Sequence, residues 1–175
     1  MARAFLLFIA AMAVGILQAA FVRALPLPFS GLQLPLIMIV GLVTVFRTRE
    51  AFVAAFICGL TLDSLSSLPT GTETAVLLAL TVCTVMLFGR IFTNHSLLGT
   101  ASLNAVVFAL GHFAFVVVDL TRSVFTGIPY SPLPNADSSR AFLYALGAQI
   151  ATVIFLLAVN DGIRKSVSKR FFLLR

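Results

Sequence analysis

Runs of apolar residues recur six times along the chain: Ala4 to Val22, Phe29 to Phe46, Ala51 to Ser66, Thr74 to Phe92, Leu98 to Leu120 and Ala141 to Asn160. Each roughly fits the ~17 to 25 residues that a helix needs to cross a bilayer, although the second and third are short. The pattern predicts an all-α integral membrane protein, a single six-helix domain over residues 1–175. Outside the helices it leaves only short links, one longer loop and a basic tail at 161–175, so function must sit in the helices or at their edges.

Composition points the same way. The chain is 60% hydrophobic and 10% charged, with a mean hydropathy of +1.09, far from the usage of soluble domains. Charge sets the orientation. With the amino terminus inside, the cytoplasmic side holds Arg3, Arg47, Arg49, Arg90, Arg164, Lys165, Lys169, Arg170 and Arg175, whereas the outer side holds Arg23, Arg122 and Arg140. Nine basic residues against three predict that both termini are cytoplasmic. Reading the first segment as a cleaved signal peptide would leave an odd number of spans and a parity opposed to this bias.

Familiar chemistry is missing. No CxxC, HExxH or paired-histidine spacing, no phosphate loop and no nucleophile elbow occurs, so no cofactor, no metal and no nucleic acid is expected, and the chain reads as a non-enzyme. Cys58 and Cys83 both lie in apolar segments and read as small buried hydrophobes.

One acid stands out. Asp63 lies at four-residue intervals above Ala51, Ala55 and Gly59, and side chains four apart share a helix face. The acid therefore tops a stripe of small residues where another helix can approach closely. From Ala51, a rise of ~1.5 Å per residue puts it about 18 Å along, in the outer half of a ~30 Å core. An ionisable group at that depth is expensive and defaults to a functional hypothesis. Above it, Ser64, Ser66, Ser67 and Pro69 to Gly71 break the helix into a tight turn. Three readings stay open: Asp63 clamps the backbone of the following turn, pairs with a polar group on another helix, or carries protons or ions.

Polar partners are expected on the fifth segment. Asn104, Gly111, His112 and Asp119 recur at seven- or eight-residue steps, a stripe that should point into the bundle. His112 reads as a neutral imidazole bonded to a neighbouring carbonyl in preference to a proton relay. Gln18, Gln149 and Thr152 read as interhelical polar contacts. Thr72 and Glu73 suit a helix amino terminus. Pro35 sits near the start of the second helix, where it is tolerated. A second small-residue stripe, Ala11, Gly15 and Ala19, predicts close packing, within the chain or against a partner. The loop from Thr121 to Arg140 carries Pro129, Pro132 and Pro134 and should fold over the outer surface as a connector or a docking loop.

With its size, six spans and internal termini, and above all Gly59-x-x-x-Asp63-x-Leu65-Ser66 followed by a turn ending at Gly71, the chain resembles the rod shape-determining MreD family of bacteria. Pro35 and the basic link Arg47 to Glu50 also agree with the family. The resemblance implies a subunit of the cell-elongation machinery in the bacterial inner membrane, bound to the membrane-anchored scaffold MreC. Through that complex it would help organise MreB filaments inside and a cell-wall glycosyltransferase and transpeptidase outside. It implies a fold similar to the substrate-binding subunits of energy-coupling-factor transporters, with Gly59, Asp63 and, more weakly, Gly71 as the motif residues. Ser67 stands where the family commonly has glycine, and the proline-rich outer loop is long.

Two rivals belong to other classes. A vitamin-capturing subunit of an energy-coupling-factor transporter would dock on its coupling partner through a face that Ala11, Gly15 and Ala19 resemble. Its pocket would need converging aromatic and polar groups, and the chain has no tryptophan and only two tyrosines. An intramembrane enzyme would need a second catalytic group near Asp63, for which His112 is the candidate.

Overall fold

The computed structural model describes residues 2–26, 29–45, 47–66, 71–90, 97–126, 140 and 142–155. Among these residues the fold is all-helical: α1 (Ala2–Ala20), α2 (Leu34–Thr44), α3 (Thr48–Leu65), α4 (Thr72–Arg90), α5 (Leu97–Thr126) and α6 (Phe142–Phe155), with two short 3₁₀ turns between α1 and α2. The basic tail, the residues from Ser67 to Thr70 and most of the proline-rich loop lie outside the described residues.

The centre of the bundle is α2, which packs against α1, α3, α4 and α5. Its Leu36, Ile39, Val40 and Val43 are fully buried, as are Ala51, Ala54, Ala55 and Cys58 of α3 and Leu103 and Val107 of α5. Small residues on α3 allow it to sit tightly between α1 and α4. The outward faces are apolar too: Phe5, Phe8, Ile9, Met12 and Ile16 of α1, and Phe113, Val117, Leu120 and Val124 of α5, are exposed. Helices that are apolar both inward and outward suit a hydrocarbon surrounding. Two of them, α4 and the stretch Gly99–Val118 of α5, are long and apolar enough to cross a membrane.

The structure differs from the sequence pattern in three places. The apolar run from Phe29 to Phe46 yields a helix of only 11 residues, about 17 Å long and near half of a ~30 Å core. Pro35 occupies the first turn of α2, where its missing N–H has no intrahelical partner to lose, and Gln33 ahead of the helix is nonhelical, so the helix begins only at Leu34. Conversely, α5 does not stop at Leu120 but runs on to Thr126, because hydropathy marks the apolar stretch and not the helix. Cys83 is exposed, whereas Cys58 is buried as expected; both are free thiols.

Candidate functional site

The site is the joint between α3 and α4. Gly59 lies one turn below Asp63 on the same face of α3, and a Cβ there would fall 2.5 Å from the Thr74 Cα and 2.9 Å from its Oγ1. Only glycine lets the two backbones come this close. The approach sets Asp63 directly beneath the amino terminus of α4. One carboxylate oxygen, Oδ1, accepts the Glu73 backbone N–H at 2.9 Å. The other, Oδ2, accepts the Thr74 backbone N–H at 3.1 Å and the Thr74 hydroxyl.

A helix amino terminus leaves its first N–H groups without intrahelical partners and carries a partial positive charge. Asp63 answers both needs from the preceding helix. It is 7% exposed, so its two side-chain oxygens are met by three donors of α4 rather than by water. Glu73, in the same first turn, is also buried. The turn closes at Gly71, whose carbonyl accepts the Ala75 N–H at 2.9 Å. Gly71 has φ +93°, a left-handed conformation that costs other residues roughly 1–2 kcal/mol.

The opposite side of α3 is gripped by α1. A Cβ on Gly15 is 2.9 Å from the Thr61 Cβ, and the Cys58 thiol donates to the Ala11 carbonyl at 3.1 Å. The stripe Ala11, Gly15 and Ala19 is therefore covered inside the chain, with Ala11 fully buried and Ala19 packed against the core. Ala51 and Ala55 are fully buried as well.

A second joint holds the irregular segment before α2. Gln18 of α1 donates to the Leu32 carbonyl at 2.8 Å and accepts the Leu34 N–H at 2.9 Å. From the other side, Gln149 of α6 accepts the Gln33 N–H at 2.9 Å and donates to the Gln33 carbonyl at 3.2 Å. Buried nonhelical backbone needs partners for its polar groups, and two amides supply them here. Both glutamines were expected to join helices; that they grip the backbone of a link was not legible. Thr152 instead donates to the Ala148 carbonyl of its own helix.

The stripe on α5 divides. Asn104 and Gly111 are buried, but His112 is exposed, which corrects the expectation that it points into the bundle. Seven residues advance a helix by about −20° and eight by about +80°, so Asn104 and Gly111 share a face while His112 turns off it. The side chain of Asp119 lies outside the described residues. The hydrogen bonds of Asp63 go to α4, and neither Asn104 nor His112 is among its partners. Among the described residues, no group of three His, Cys, Asp or Glu side chains is arranged to hold a metal. Thr74, the residue that completes the site, went unnoticed in the sequence. Its position 15 residues after Gly59 carries no pattern, although threonine in a first helical turn is a weak signal.

No protein-family description, no curated protein and no solved structure matches this chain.

Proposed function

We propose that the chain is a non-enzymatic, multi-pass subunit of the bacterial cell-elongation complex, set in the cytoplasmic membrane with both termini inside and docked on the scaffold protein MreC. Through that complex it meets MreB filaments and the glycosyltransferase and transpeptidase of lateral cell-wall synthesis. The reading rests on the resemblance of Gly59-x-x-x-Asp63 and its turn to the MreD signature, joined to the charge bias. The observation that carries it furthest is the engagement of Asp63: a carboxylate that already holds two backbone N–H groups and a hydroxyl acts as a structural joint. A motif acid used this way favours a helical scaffold over proton transport or acid–base catalysis. The transporter reading is weakened, because the small-residue stripe that resembled a docking face is covered by α3.

Affinity purification of the tagged chain from its native cells in mild detergent, with mass spectrometry of the bound proteins, tests the proposal. Recovery of MreC and cell-wall synthases, reduced by Asp63→Ala, is the expected result. Recovery of a transporter's coupling subunit and ATPases would overturn it.

A further inference from the structure

We draw no further inference here: the strongest candidate, the exposed apolar face of α5 formed by Phe113, Leu120 and Val124, carries nothing, because nothing in the structure shows what covers it.

Discussion

Asp63 and Asn104 have side chains of the same length, and both are buried, at 7% and 0% exposure. Asp63 meets three donors. Neither amide atom of Asn104 finds a partner among the described residues. The difference lies in what each one faces. Asp63 sits beneath a helix beginning, where backbone N–H groups are free. Asn104 sits in the interior of α5, away from the free N–H groups at that helix's start. In an apolar bundle, helix ends are the natural partners for polar side chains, and Gln18 and Gln149 obey the same rule at the start of α2.

The comparison can be broken from either side. Gly59→Leu should have the largest effect, because its side chain must displace the α4 backbone at Thr74. We expect a loss of about 3 kcal/mol, at the upper end for overpacking, together with loss of partner capture; unchanged unfolding in detergent would refute the close approach. Gln149→Leu comes next. It strands the N–H of Gln33, whose carbonyl keeps the Leu36 and Ile37 N–H groups, and should cost roughly 2 kcal/mol for a donor left unmet, read as a lower midpoint of denaturation. Asn104→Leu should have the smallest effect and the opposite sign. Replacing an unpartnered amide by an apolar group of similar size should raise stability by about 1 kcal/mol, and a clear loss would mean that Asn104 has a partner after all.

Much of the α3–α4 joint could be read from residue spacing. Four-residue steps set Ala51, Ala55, Gly59 and Asp63 on one face, and clamping of the following turn was among the readings of the acid. The identity of its partners was less accessible, because residues 63 and 74 are related by a turn whose path depends on packing. The α5 stripe shows how small an error suffices: a step of eight in place of seven carries His112 off the buried face. The short α2 lay hidden in a continuous apolar run, with Pro35 as its one local signal. The grip of Gln149 on Gln33, 116 residues apart, is set by tertiary packing alone.

The most direct measurement compares the unfolding of purified wild type, Asp63→Asn and Asp63→Ala. If Asp63 caps α4, alanine should cost about 2 kcal/mol, the upper range for a lost cap, and asparagine, which keeps one acceptor oxygen, about half of that. An alanine variant as stable as wild type would contradict the joint between α3 and α4.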